Sequence, residues 1–243
     1  MIDVSSYIGS LPKRSCRLTL EEMIALAKRH GIKYMVVSHT SSHLSRSPLY
    51  GNKVVAEISR KYRELYAAIV VNPSLLIDKS IVSSDKIRVI RVSPLYHGYS
   101  LVNEKYSKKL AEIIVETELP LHIPLRLHFT EPYQVKVLDV REFALKNRDL
   151  GIIVGGFNYD LLLEVISFLG NLDNVYLEIS LLQSYRGVET LVDVMGADRI
   201  LFGTNMPFSY PLASILKVTK AEISEKFKRM ILEENAKKLI GIN

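Results

Sequence analysis

The sequence predicts an α/β chain folded as a (β/α)8 TIM-type barrel, on three observations: eight short β-branched runs, amphipathic helical segments between most of them, and a length of 243 residues. Roughly 250 residues is the usual size of one such barrel. Strands buried on both faces and joined by crossover helices form a parallel sheet, and eight of them in so short a chain favour closure over an open doubly wound sheet. One domain over residues 1–243 is expected, ending in a helical segment at about 221–239.

The first strand is read at Ile2–Val4. Thr19-Leu20-Glu21-Glu22 is a capping box, in which the Thr hydroxyl and the Glu carboxylate each satisfy an orphan backbone N–H; it opens an amphipathic helix that Gly31 closes. Lys33–Ser38 is a buried strand, followed by a Ser-rich loop, a helix around Lys53–Leu65, and the apolar run Ala67–Val71 that Asn72-Pro73 stops. The third unit is abbreviated: residues 74–86 hold only Leu75-Leu76-Ile77 as an apolar stretch. Then come strand Ile87–Val92, helix Asn103–Thr117, strand Leu119–Leu125, helix Val135–Lys146, strand Gly151–Val154 and helix Asp160–Leu169. Strand Val175–Ile179, helix Gly187–Met195 and strand Arg199–Phe202 complete the eight units.

Composition narrows the function classes. The net charge of +6 comes from 32 basic and 26 acidic residues scattered along the chain, a weak argument for nucleic acid. The longest apolar runs fall short of the ~20 residues of a membrane span. Met1-Ile2-Asp3-Val4 lacks the basic start and apolar stretch of a secretory signal, so a cytoplasmic location is expected. Cys16 is the only cysteine, which rules out an internal disulfide and a cysteine-based zinc site within one chain. Few glutamines and abundant Lys, Glu, Ile and Leu give a thermophile-like composition. There is no Gly-rich phosphate loop.

Several stretches resemble the amidohydrolase-2 family, in its usual order. They are Met1–Val4 with Ile8-Gly9, the Leu-Glu-Glu helix ending His30-Gly31-Ile32, Val71-Asn72-Pro73, Ile90–Pro94 with Tyr96-His97-Gly98-Tyr99, Leu119-Pro120, Asn174–Ser180, Gly196–Thr204 with Pro207, and Glu234–Leu239. The resemblance implies a barrel whose mouth binds one divalent metal through a His-x-His after the first strand, His residues ending the fifth and sixth strands, and an Asp ending the eighth. Such a metal lowers the pKa of a bound water towards ~7 and makes hydroxide available. In this sequence the matching positions carry Ser5, Tyr7, Pro124, Gly156 or its neighbour Gly155, and Asn205. None offers an imidazole or a carboxylate, so no metal and no other cofactor is expected.

Alternation along a strand places every second side chain in the barrel, and sites in such barrels lie at the C-terminal face. Parity with the positions that match the family's ligands gives Ser5, Tyr7, His122, Arg126 and Asn205 as the expected substrate-binding ring; Arg91 and Ser93 join it if the fourth strand follows the inward Lys that the resemblance implies, with Glu178 as the main acid. His39, His97 and His128, each following a strand, are the candidates for acid–base work, since imidazole titrates near neutrality. Structural alternatives stand beside these roles: His30 as a helix end, His43 solvated in its loop, His122 as a hydrogen-bonded core residue, and one arginine paired with Glu178. No Ser-His-Asp arrangement is defensible.

Converging guanidinium groups suit a small anionic molecule, carboxylate or phosphate. The functional reading is an amidohydrolase-like barrel acting on such a molecule without a metal, as a hydrolase or a decarboxylase-type enzyme, with Arg91 and Arg126 holding the anion. The alternative is a non-catalytic relative serving as a ligand-binding or assembly module, with a mouth closed by Phe157, Phe208 and Tyr210. Homo-oligomerisation is left open, a membrane is not expected, and nucleic acid is a distant third.

Overall fold

Eight parallel strands follow one another in the order β1 to β8 around a single sheet. The structure, a computed structural model, describes every residue except 13–15, 17, 77, 78, 129–134 and 243. The elements are β1 (Ile2–Ile8), α1 (Leu20–Arg29), β2 (Tyr34–His39), α2 (Thr40–Leu44), α3 (Leu49–Lys61), β3 (Leu65–Val71), α4 (Lys79–Val82), β4 (Ile87–Val92), α5 (Pro94–His97) and α6 (Glu104–Thr117). They continue with β5 (Leu121–Pro124), α7 (Val137–Lys146), β6 (Ile152–Gly155), α8 (Tyr159–Leu169), β7 (Val175–Glu178), α9 (Gly187–Met195), β8 (Ile200–Leu201) and α10 (Pro211–Thr219). The chain ends in α11 (Glu225–Arg229), a π-helical turn at Met230–Glu234, and α12 (Asn235–Ile240). Backbone bonds from Val4 N–H to Phe202 O at 3.0 Å and from Asn205 N–H to Ser5 O at 2.8 Å join the eighth strand to the first.

Each strand presents an apolar side chain to both faces, which is why the sequence shows continuous β-branched runs rather than clean alternation. Ile2, Val4, Val36, Ala68, Val89, Ile153 and Leu201 fill the lower barrel interior, joined from below by Ala236, Ile240 and Ile242 of the C-terminal segment. The opposite parity, including Met35, Val37, Ile69, Ile90, Val92, Ile123, Val154 and Leu177, packs against the helices. Asn235 docks that segment, its Nδ2 donating to Ala197 O and Ile200 O at 2.7 and 2.8 Å.

The capping box forms as the sequence predicts: Thr19 N–H donates to Glu22 Oε2 at 2.8 Å and Glu22 N–H to Thr19 Oγ1 at 3.2 Å. The third unit is short, with the four-residue α4 between β3 and β4; Ile77 of its expected apolar stretch lies outside the described residues. Three expectations are corrected. The first strand runs on to Ile8, because a bulge between Asp3 and Ser6 lets the polar Ser5-Ser6 pair remain in the sheet. Helix α10 was not anticipated, although Pro211 at its first turn is a standard opening. The C-terminal helix begins after Ser224, whose hydroxyl accepts from Phe227 N–H, and not at Ala221. Among the described residues no helix is long and apolar enough to cross a membrane.

Candidate active site

One step of two residues up from the apolar interior layer changes the chemistry. From Val36, Val89, Ile153, Tyr176 and Leu201 the same parity reaches Ser38, Arg91, Gly155, Glu178 and Gly203 at the C-terminal ends of the strands. His122 joins them as the register partner of Arg91. On β1 the bulge resets the parity, pairing Tyr7 with Ser38 as Ile2 pairs with Tyr34, so the Tyr7 ring also turns inwards.

Arg91 is fully buried. Its Nε donates to His122 Nδ1 at 3.1 Å, Nη1 to Ser38 Oγ at 2.6 Å and Ser6 O at 3.3 Å, and Nη2 to Val4 O at 2.8 Å. The guanidinium lies 5.0 Å from the centre of the Tyr7 ring, a cation–π contact. Among the described residues it forms no ion pair with a carboxylate. His43 sits in the same network, between Ser38 Oγ at 2.9 Å and Ser93 Oγ at 2.6 Å. Burial, then the neighbouring Arg91 charge, hold the imidazoles of His43 and His122 well below the usual histidine range, so both are neutral.

Glu178 closes β7 and is likewise buried. Its carboxylate accepts from the Ser180 N–H and from Ser180 Oγ at 3.0 Å. Burial pushes its carboxyl up to about 7, with the Asp3 charge adding to the rise and Lys217 opposing it. The neighbouring strands make room for it. A Cβ on Gly155 would lie 2.6 Å from Glu178 Oε2 and 2.8 Å from His122 Nε2, and a Cβ on Gly203 would overlap Glu178 Oε1. Glu178 and His122 thus both pack against Gly155, in space that only the missing side chain leaves them. His122 Nε2 has no hydrogen-bond partner there.

Asp3 is a second buried acid, on the outward parity. It accepts from Ser5 N–H at 2.9 Å, Ser6 Oγ at 2.5 Å, Thr204 N–H at 3.0 Å and the Thr204 hydroxyl, and so pins the β1 bulge to the segment after β8. Burial raises its carboxyl above the usual range. Lys217, on α10, donates to Ile179 O at 2.6 Å and Ser180 O at 3.0 Å behind the end of β7. Burial brings its ammonium down to about 8, against the attraction of Glu178.

The expected ring assembles only in part. Ser5, Tyr7, Arg91, Ser93, His122 and Asn205 are all buried at the strand ends. Asn205 adopts a left-handed φ of +58°, and its Nδ2 meets no acceptor among the described residues. Arg126 does not join Arg91 as an anion clamp. Its Nη2 reaches both oxygens of Asp160 at 2.6 and 2.8 Å, and its Nε donates to Gly156 O at 3.1 Å, because the chain after β5 turns towards α8. That approach needs glycine: Gly156 has φ +75°, and a Cβ there would collide with the Arg126 backbone. Neither arginine forms an ion pair with Glu178 among the described residues.

The histidines also divide. His39 ends β2, half-buried, with Nδ1 on Ser41 at 2.7 Å to the hydroxyl and 3.2 Å to the N–H; burial lowers its pKa. His97 ends α5 and gives Nε2–H to Ser42 O at 3.1 Å, while burial lowers its pKa too. His128 is buried just before residues 129–134. Among the described residues, neither His39 nor His97 hydrogen-bonds Glu178 or His122. His43 is the reverse of its expectation: it is fully buried, since the Ser-rich loop folds as α2 and carries it under the barrel mouth. His30 caps α1 and bonds Tyr210 at 3.1 Å.

Tyr7, Leu11, Leu127 and Phe208 pack together over this interior, with Leu44 against them. Of the three aromatic residues expected to close the mouth, only Phe208 does so. Phe157 belongs to the strand–helix core, and Tyr210 is exposed beside His30.

The amidohydrolase-2 family model, described as amidohydrolase, matches residues 20–242. The chain belongs to the amidohydrolase family. No curated protein matches it in sequence. Among solved structures it is similar to a dihydroxybenzoic acid decarboxylase from Polaromonas sp. JS666 with bound manganese and the inhibitor 2-nitroresorcinol, at TM-score 0.74 and 15% identity, over 99% of this chain and 96% of that one. A 5-carboxyvanillate decarboxylase from Sphingomonas paucimobilis follows at TM-score 0.72 and 13% identity, over 91% and 83% of the two chains. An amidohydrolase 2 from Bifidobacterium longum subsp. infantis aligns at TM-score 0.70 and 16% identity, over 100% and 98%. At these identities the likeness is one of fold. Among the described residues of this amidohydrolase-family barrel, no three His, Cys, Asp or Glu side chains come together as a metal-ion site. The donors around Ser5, Tyr7, Pro124, Gly155 and Asn205 do not fit one, and the Arg91 cation lies against Tyr7.

Proposed function

We propose that this barrel is a decarboxylase-type enzyme that acts on a small aromatic carboxylate without a metal. One observation carries the reading: Glu178, with its carboxyl pushed up to about 7, and the partnerless Nε2 of His122 both pack against Gly155, each within 3 Å of where a Cβ would stand. A buried carboxyl poised near neutrality beside a second polar group at barrel strand ends has the marks of an acid–base site. The printed activities of the similar structures, decarboxylases of dihydroxybenzoate and carboxyvanillate, support the substrate class.

In the proposed step Glu178, in its acid form, protonates the ring carbon that bears the carboxylate. A π electron pair of the ring forms the new C–H bond; the bond from that carbon to the carboxylate then breaks, its electron pair returns to the ring and restores aromaticity, and carbon dioxide leaves. Glu178 then regains its proton from water. Arg91 contributes a buried positive charge that favours entry of an anion, replacing the two-arginine clamp expected from the sequence. Substrate entry requires Tyr7 and Phe208 to move aside. That apolar cover is also what favours the second reading, a non-catalytic ligand-binding module.

The test is release of carbon dioxide from a panel of hydroxybenzoates by chelator-treated protein, with lactones and amides included for hydrolysis. The proposal expects turnover without metal, lost in Glu178→Gln. Activity that returns only on adding manganese would overturn metal independence. Saturable binding without turnover would replace this reading with the second.

A further inference from the structure

Arg91 and His122 are register partners on adjacent strands, both fully buried on the inner face of the barrel. Arg91 Nε lies 3.1 Å from His122 Nδ1. A guanidinium carries only donors. His122 Nδ1 must therefore offer its lone pair, and the single proton of the neutral ring sits on Nε2; the tautomer follows from the bonding network. The remaining bonds of Arg91, to Val4 O, Ser6 O and Ser38 Oγ, keep its planar fork from rotating, and the Tyr7 ring covers it. Ser38 is itself held by His43, and His43 by Ser93. At the other end of the imidazole, Nε2 is partnerless and 2.8 Å from the point a Gly155 Cβ would occupy, with Glu178 Oε2 2.6 Å from that same point.

We infer that Arg91 is a positioning residue that fixes His122 in the Nε2–H tautomer and so leaves this buried, unpartnered N–H on the Glu178 side of Gly155, as the donor for an oxygen of a bound carboxylate. Arg91 acts on such a ligand through His122 and not by a direct clamp, which explains why a buried arginine at the centre of the barrel spends its bonds on neutral acceptors. Use of this donor in turnover rests on the enzymatic reading above. The tautomer does not.

Long-range nitrogen–proton NMR on protein labelled with 15N-histidine reads the tautomer directly, with His122 assigned from its loss in His122→Asn. At about pH 7, where a neutral ring is read without added acid, the wild type is expected to show a protonated Nε2 and an unprotonated Nδ1. In Arg91→Met the Nδ1–H form should rise about tenfold or more, the scale of losing a charge-assisted hydrogen bond. A wild-type His122 protonated at Nδ1, or on both nitrogens, overturns the inference, as does an unchanged tautomer in folded Arg91→Met. If that variant fails to fold, the wild-type spectrum alone decides. A wild-type Nε2–H tautomer in a protein that turns over no carboxylate would overturn the enzymatic reading and leave this assignment standing.

Discussion

Replacing Glu178 with Gln should change how stability depends on pH more than it changes stability at any one pH. The carboxyl is raised by burial from the usual 4.5 to about 7 in the folded chain. Its contribution is therefore complete below about pH 4.5 and is lost as pH rises through about 7, because the folded state holds the proton that the unfolded state releases. That displacement corresponds to about 3 kcal/mol. Gln cannot ionise, so the variant avoids the loss, while giving up part of the Ser180 bonding at a cost of about 1 kcal/mol. The expected result is a crossover: Glu178→Gln about 1 kcal/mol less stable near pH 4.5, and about 2 kcal/mol more stable near pH 8. Lys217, lowered to about 8, has the opposite linkage, its contribution being lost as pH falls through about 8, so it does not vary across the window where Glu178 titrates. Urea unfolding of the two proteins across this pH range measures the crossover. Parallel stability curves would refute the reasoning, since they would mean that Glu178 keeps an ordinary pKa in the fold.

Gly155→Ala places a methyl group against both Glu178 Oε2 and His122 Nε2, so it should cost about 1–3 kcal/mol in denaturant unfolding and abolish any turnover; a stable, active variant would show that neither fold nor activity needs the two groups packed against Gly155. Asp160→Asn leaves the nearly buried Arg126 without its carboxylate and should destabilise by about 1–3 kcal/mol, whereas Arg126→Met should stay within about 1 kcal/mol; the reverse order would contradict the pairing geometry. Thr19→Ala removes the cap of α1 and should cost about 1 kcal/mol by thermal or urea unfolding, with no effect on the barrel interior.

The barrel was legible because its strands carry apolar side chains on both faces and its helices announce their ends locally, as at Thr19 and Gly31. Elements of weak local signal were lost. Helix α10 lies behind a proline and an exposed tyrosine, and β1 contains serines that only the Asp3 and Thr204 bonds make compatible with burial. Positions along single strands were legible in part, and the pairings between strands were not. Parity along β5 places His122 inwards, since a period of two is a local property, whereas on β1 it is the bulge that turns Tyr7 inwards. Which residues bond is decided by contacts 31 to 53 residues apart, such as Arg91 with His122 and Ser38, or 34 residues apart for Arg126 and Asp160. His43 shows the same limit: nothing local in a Ser-rich stretch reveals a partner at Ser93.

In the proposed reaction the strand-end layer works through Glu178, His122 and Arg91 in place of a metal ion. Equilibrating the purified protein with excess manganese or zinc, removing unbound ion and measuring metal per chain, with anomalous diffraction at the barrel mouth, tests it most directly. Far less than one ion per chain is expected, with no anomalous peak beside Ser5, His122 or Asn205 and a decarboxylation rate that metal does not change. One ion per chain held by His122 or Glu178 would contradict it.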